Sequence, residues 1–423
     1  MVPSAAVPAA ARRARTAVGI LFFTNGALFA NLLPRYPEIK ADLDLGNAAF
    51  GAAVAAFPLG ALLVGLSAGH LIRRFRSSRV AVAGTLLTAV GILAAGTASS
   101  WAVLAAAFFL AGAMDSLTDV AQNSHGLRVQ RLYGRSIINS FHAVWSLGAV
   151  TGGVVGAAAA EAGVPLLLHL AVSAVVFGAA ALAAARWLLA GPEPDGAEGT
   201  DSADGPAATA SASAKTGNSL QIPGAAARYG ILLALVAIAA SGAIVEDAGS
   251  SWLAIYLAGS LGASAFMAGL GFISLQGMQF VGRLLGDRMV DRFGQRAVAR
   301  AGGVLVLVGT GAALAFPSVL GTVAGFGLAG FGVATLIPAA MHAADELPGF
   351  RPGAGLTIVG WLLRVGFLAS PPVVGAIADA SSLRVGLLFV PAAGLLVLVF
   401  ARVLATRAAR NEPGNVEVAV PGR

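Results

Sequence analysis

The chain is a succession of long apolar runs broken by short polar ones. About 20 mostly apolar residues suffice to cross a bilayer as an α-helix. Twelve runs meet that length. The first six fall near 16–35, 48–72, 79–98, 102–124, 136–159 and 164–189. The second six fall near 229–256, 264–285, 298–316, 319–342, 354–377 and 384–405. Between the sets the pattern stops at "GPEPDGAEGTDSADGPAATASASAKTGNSLQIPG", which is rich in small and polar residues and has no apolar period. That composition predicts a flexible linker over 191–228. The predicted organisation is a half over 1–190, the linker, a half over 229–410, and a disordered tail over 411–423.

Composition narrows the class. Only 11% of the 423 residues are charged and 57% are hydrophobic, with a mean hydropathy of +0.82. A soluble domain carries about 25% charged residues, so the fold class is an all-α integral membrane protein. Glycine, at 55 residues, suits helices packed closely through small side chains. There is no cysteine, which removes disulfides, thiolate metal sites and cysteine nucleophiles. The basic start of "ARRARTAVGILFFTNGALFANLLPRYPEIK" is not read as a cleavable signal, because its apolar stretch continues as a full span.

The net charge of +7 raises the question of a nucleic-acid partner, and the placement of the charges answers it. With both termini on one side, 23 of the 27 Lys and Arg residues fall on that side. Only Arg35, Lys40 and Arg384 fall opposite, and Arg364 lies within a span. Positive charge concentrates on the cytoplasmic side of membrane proteins, so both termini are expected in the cytoplasm and no nucleic-acid partner is needed. The halves also echo each other: "GHLIRRFRSSRV" follows the second run and "GDRMVDRFGQRAV" follows the eighth. Two six-helix pseudo-repeats are what a duplicated transporter unit predicts.

These motifs carry a resemblance to the major facilitator superfamily of secondary transporters, over nearly the whole chain. "DRFGQR" resembles the superfamily's signature loop and keeps Asp291, Arg292, Gly294 and Arg296. The first copy departs: Arg73 stands where the acid belongs and Arg76 where the second glycine belongs. "NLLPRYPEIKADLDLG", "DVAQN", "SFHAVWSLG" and "GRLLGDRMVDRFG" are similar to the bacterial MosC-like branch, near fucose permease. The resemblance implies the major facilitator fold in a bacterial cytoplasmic (inner) membrane. It also implies a central cavity lined by the first, fourth, seventh and tenth helices, and a gating role for the signature loop. It names no substrate.

Candidate chemistry sits where polar residues interrupt the apolar runs, because a charge inside a bilayer is costly and usually has a task. In the fourth run Asp115, Asp119, Gln122 and Asn123 share one stripe at about 100° per residue. They either line the cavity or lock this helix to a neighbour. His142 in the fifth run is placed to exchange a proton with Asp119, or is satisfied structurally. Trp145, one turn on, stacks on a ligand or fills space. Gly148, Gly152 and Gly156 form a small-residue stripe for packing. In the seventh run Glu246 is the second candidate proton site, beside Asp247, unless the helix breaks at Gly249 and Ser250. Arg364 needs a carboxylate, water or an anionic solute. Glu246 and Asp247 are its candidate protein partners. Pro371 and Pro372 are expected to break the eleventh helix. Asn25, Asn31, Gln276 and Gln279 are amide candidates for the substrate cavity.

No P-loop, no H-E-x-x-H pair and no other enzyme constellation is present, so neither a cofactor nor a metal is expected. The reading is a monomeric secondary transporter moving a small organic solute by alternating access, with protons as the coupling ion and export favoured. Proton-coupled uptake of a sugar-like solute is the alternative, and a non-transporting sensor is a third.

Overall fold

The computed structural model describes residues 7–191, 224–350 and 353–406. Most of the expected linker, the expected tail and Arg351 lie outside the described residues. Twelve helical spans among the described residues are long and apolar enough to cross a membrane. They are α1 Ala9–Asp42, α2 Asn47–Gly65, α3 Ser77–Gly96, α4 Trp101–Tyr133, α5 Ile138–Glu161 and α6 Leu166–Ala185, followed by α7 Ala226–Leu261, α8 Ala265–Phe293, α9 Gln295–Ala315, α10 Val319–Asp345, α11 Ala354–Ala380 and α12 Leu383–Val403. The even count returns the chain to the end of the bundle where it entered, the terminal end. The other is the distal end.

Within the first half α1 lies on α5, and α4 lies between α2 and α3. The second half repeats the scheme, with α7 on α11 and α10 between α8 and α9. The α1–α5 contact is backbone on backbone: a side chain at Gly148, Gly152 or Gly156 would collide with the carbonyls of Phe23, Ala27 or Asn31. The stripe is therefore packing, as its spacing indicated. The halves meet along two seams, α2 with α11 and α5 with α8. Pro34 at the distal end of α1 reaches Gly269 of α8, and Gly51 of α2 rests on the Pro371 carbonyl of α11. The Trp252 ring of α7 meets Phe50 of α2 edge-on at 6.0 Å. These contacts all belong to the distal part of the bundle.

Several local expectations need correcting. α11 is continuous through Pro371 and Pro372 rather than broken there. Proline is tolerated within membrane helices because neighbouring helices satisfy the freed backbone groups. Of the two readings open for the seventh helix, the one without a break at Gly249 and Ser250 holds: it runs unbroken from Ala225 to Leu261. Interruptions fall elsewhere: α10 steps at Ala334–Thr335, and α1 passes through a tight turn at Leu33–Arg35 before a last helical stretch, Tyr36–Asp42.

Candidate functional site

In the first half a single amide ties three helices together. The Asn25 amide nitrogen on α1 donates to Asp115 Oδ1 on α4 at 2.6 Å. Its carbonyl oxygen accepts from Trp145 Nε1 on α5 at 2.8 Å. Both faces of the amide are used, so its orientation is fixed, and Trp145 is held by its indole N–H as well as by packing. One turn along α4, Asp119 Oδ1 accepts from Gln122 Nε2 at 3.2 Å and from Asn123 Nδ2 at 3.0 Å. Asp119, Gln122 and Asn123 thus form a connected set one turn from the Asp115 chain. Gln122 is fully buried, and its Oε1 has no hydrogen-bond partner in the protein. His142 lies partly buried a turn before Trp145, with its ring edge-on to Phe22 at 5.2 Å. Asn31, in contrast, is internal mortar: it donates to Ser173, and His169 Nε2 lies 2.8 Å from its oxygen, joining α1 to α6.

The second half supplies a different set. Glu246 on α7 meets Arg283 on α8 at 3.4 Å, with both side chains only partly exposed. Arg283 was not a candidate from the sequence, because it sits at the edge of the eighth run, where basic residues are commonplace. Arg364 is partly buried in α11. Asp247 points along the seam, where Ser251 donates to its Oδ1 at 3.2 Å and Ser370 of α11 and Tyr36 of α1 lie beside it. Its Oδ2 has no hydrogen-bond partner. Gln276 and Gln279 on α8 are 3% and 1% exposed, and each leaves one amide atom unpartnered.

The signature loop closes the α8–α9 turn at the terminal end. Asp291 and Arg292 are exposed, and the Arg292 guanidinium lies over the Phe293 ring. Arg296 donates through Nε to the Leu404 carbonyl at 2.9 Å, tying the loop to the end of α12. Gly294 has φ 84° and ψ 154°, and Arg76, 218 positions earlier (294 against 76), has φ 75° and ψ 144°. The two loops share one backbone shape, although only the second has the residue suited to it.

The Major Facilitator Superfamily profile matches residues 18–289 and 235–420. The chain belongs to the major facilitator superfamily. It is therefore a multi-pass membrane protein of a transporter family. Among curated relatives, transporter y4wD of Sinorhizobium fredii is 29% identical, with 90% of this chain and 96% of that protein covered. Membrane protein MosC of Rhizobium meliloti is 28% identical, at 90% and 88% coverage, in line with the branch that the sequence motifs resemble. Among solved structures, the nucleoside transporter NupG aligns with a TM-score of 0.69 at 14% identity, covering 91% of this chain and 98% of that one. The D-xylose-proton symporter aligns at 0.64 and 15%, covering 92% and 95%. A bacterial homologue of the lysosomal transporter Spinster, in an inward-facing and unoccupied conformation, aligns at 0.67 and 14%, covering 93% and 97%. At these identities the structures establish the shared superfamily fold.

Proposed function

We propose that the protein exports a small organic solute across the bacterial cytoplasmic membrane in exchange for protons, with Asp115 as the carboxylate that takes up and releases the proton. The observation that carries this reading is the Trp145–Asn25–Asp115 chain. It places an acid within the membrane-spanning region and links its hydrogen bond to the helices on either side of it. A carboxylate in hydrocarbon favours its neutral form when water is excluded. Access to water on one side then favours proton release, and a proton gradient can bias the equilibrium because the proton interacts differently with the two states. Asp119 and His142 form the part of this path nearer the terminal end, and Glu246 with Arg283 is the corresponding charged pair of the second half. Gln276, Gln279 and Arg364 are the solute-binding groups, and the signature loop serves as the gate at the terminal end.

With the termini and the linker in the cytoplasm, a bundle joined at its distal end is in its inward-facing state. Uptake of a sugar-like solute in symport with protons is the second reading, favoured by the buried amides, which suit hydroxyl groups. The test begins with a ligand-stabilisation screen, followed by transport of the best hit in proteoliposomes with and without a pH gradient. Asn mimics a neutral acid, so Asp115→Asn is expected to retain solute exchange and lose gradient-driven accumulation, while Asp119→Asn retains part of both. Accumulation equal to the parent in both variants would remove the α4 acids from the mechanism and make Glu246 the carboxylate to test. The direction of accumulation under an imposed gradient separates export from uptake.

A further inference from the structure

The two seams between the halves end at the distal face in the same way. On one seam, Asp379 near the end of α11 reaches across to the first residues of α2. Its Oδ1 accepts from the Asn47 backbone N–H at 2.9 Å and from the Asn47 side chain at 2.8 Å, and its Oδ2 accepts from the Ala48 N–H at 2.8 Å. The residue just before α2, at the capping position, is Gly46, which has no side chain to cap the helix. Asp379 supplies that cap from the other half, with Lys40 of α1 also beside it. On the other seam, Glu161 at the end of α5 reaches the start of α8, and its Oε2 accepts from the Phe266 N–H at 2.8 Å. Ser264 and Ala265 lie against the same carboxylate.

The two arrangements are one device, duplicated. Glu161 and Asp379 stand 218 positions apart, as do the capped amides of Ala48 and Phe266 and the signature loops at the opposite end. Each carboxylate satisfies N–H groups that a helix start leaves without an intrahelical partner, and each sits at the positive end of a helix dipole. Caps of this kind usually lie within one domain. Both of these cross from one half to the other, so the distal ends cannot part without breaking them.

We propose that Glu161 and Asp379 are paired latches of the distal gate, each holding it shut by capping a helix start in the opposite half. This rests on the reading that the halves rock, and the test measures conformation rather than transport, so the two can fail separately. Because the chain has no cysteine, spin labels can be placed by single substitutions. Ser99→Cys with Phe316→Cys reports the distal end, and Arg79→Cys with Ala297→Cys reports the terminal end. All four positions are exposed. Electron-electron distance measurements on the purified full chain would compare the parent with Asp379→Ala, Glu161→Ala and the double variant.

The share of long distal distances is expected to rise roughly threefold for each single variant, as for loss of a helix cap. It should rise further in the double variant, with a matching rise in short distances at the terminal end. Distal distributions identical to the parent in both alanine variants would overturn the latch, while a terminal pair that still shows both short and long distances would leave the rocking intact. If the alanine variants do not purify as folded protein, Asp379→Asn and Glu161→Gln decide. Both remove the charge, so a raised long-distance share supports the latch and an unchanged share overturns it.

Discussion

The two halves share one helical scheme but handle buried polarity in opposite ways. In the first half, polar side chains satisfy one another. Trp145, Asn25 and Asp115 form one chain, and Asn31 holds His169 and Ser173. His125 accepts from the Leu189 N–H through Nε2 at 3.0 Å, which leaves Nδ1 as the donor to Ser77 at 2.9 Å. In the second half, Asp247 Oδ2, Trp252 Nε1, Gln276 Nε2, Gln279 Oε1 and Ser370 Oγ have no hydrogen-bond partner in the protein. Among the described residues the first half has four such atoms, fewer than the second: Arg35 Nη1, Thr88 Oγ1, Gln122 Oε1 and His169 Nδ1. A buried polar atom without a partner costs about 1–3 kcal/mol, so a set of them is kept for a reason other than stability. The lesson is a division of labour: the first half spends more of its buried polar groups on internal contacts, and the second keeps more hydrogen-bonding capacity unused, which the proposed function assigns to a solute.

The sharpest way to break that division is to exchange the phenotypes. Asn31→Ala removes the link between α1 and α6 and strands His169 and Ser173, so stability should fall by about 2 kcal/mol, seen as a lower melting temperature, with solute affinity unchanged. Gln276→Ala and Gln279→Ala should do the reverse: the melting temperature holds or rises, and solute affinity drops by roughly five- to tenfold, as for loss of one hydrogen bond of about 1–1.5 kcal/mol. Isothermal titration beside thermal melts reads both quantities. Equal stability losses in all three variants would mean that the second half's amides are mortar too.

The signature loops sharpen the comparison on a smaller scale. Arg76 adopts a backbone conformation suited almost only to glycine, at a strain of order 1–3 kcal/mol. Arg76→Gly should therefore stabilise the protein by about 1 kcal/mol, within that strain. Gly294→Arg should destabilise it by a similar amount. Thermal melts of the two variants check the sign, and an Arg76→Gly variant less stable than the parent would show that the arginine side chain holds the first loop. The smallest effect is expected at Glu246 and Arg283. Their contact is long and partly exposed, so a double-mutant cycle with Glu246→Gln and Arg283→Gln should give under about 1 kcal/mol of coupling.

The twelve spans were legible because a bilayer sets a minimum apolar length, and hydropathy reports length directly. The α4 stripe was legible because Asp115 and Asp119 stand out in a greasy run. The break expected at Pro371 and Pro372 does not form, because in a membrane bundle neighbouring helices can stand in for the lost hydrogen bond. Arg283 was hidden by its place at the edge of a run. Glu161 and Asp379 were invisible for a related reason: an acid at a helix end beside a loop looks like ordinary surface charge, and its partner lies in the other half of the chain. Asp247 was passed over for its neighbour, since sequence cannot say which of two consecutive acids turns to the seam.

The glycine stripe of α5 has a mechanical consequence. With the α1 carbonyls lodged against Gly148, Gly152 and Gly156, α1 and α5 have no room to slide and behave as one beam. That beam carries Asn25 near its middle, Trp145 in the terminal third of α5, and Glu161 at the distal tip. At 1.5 Å per residue, Trp145 and Glu161 are about 24 Å apart along α5. A tilt of about 10°, of the order by which subunits turn on one another, would swing the far tip through roughly 4 Å. A tilt pivoted near the polar chain would therefore carry the distal face through more than a hydrogen bond's length.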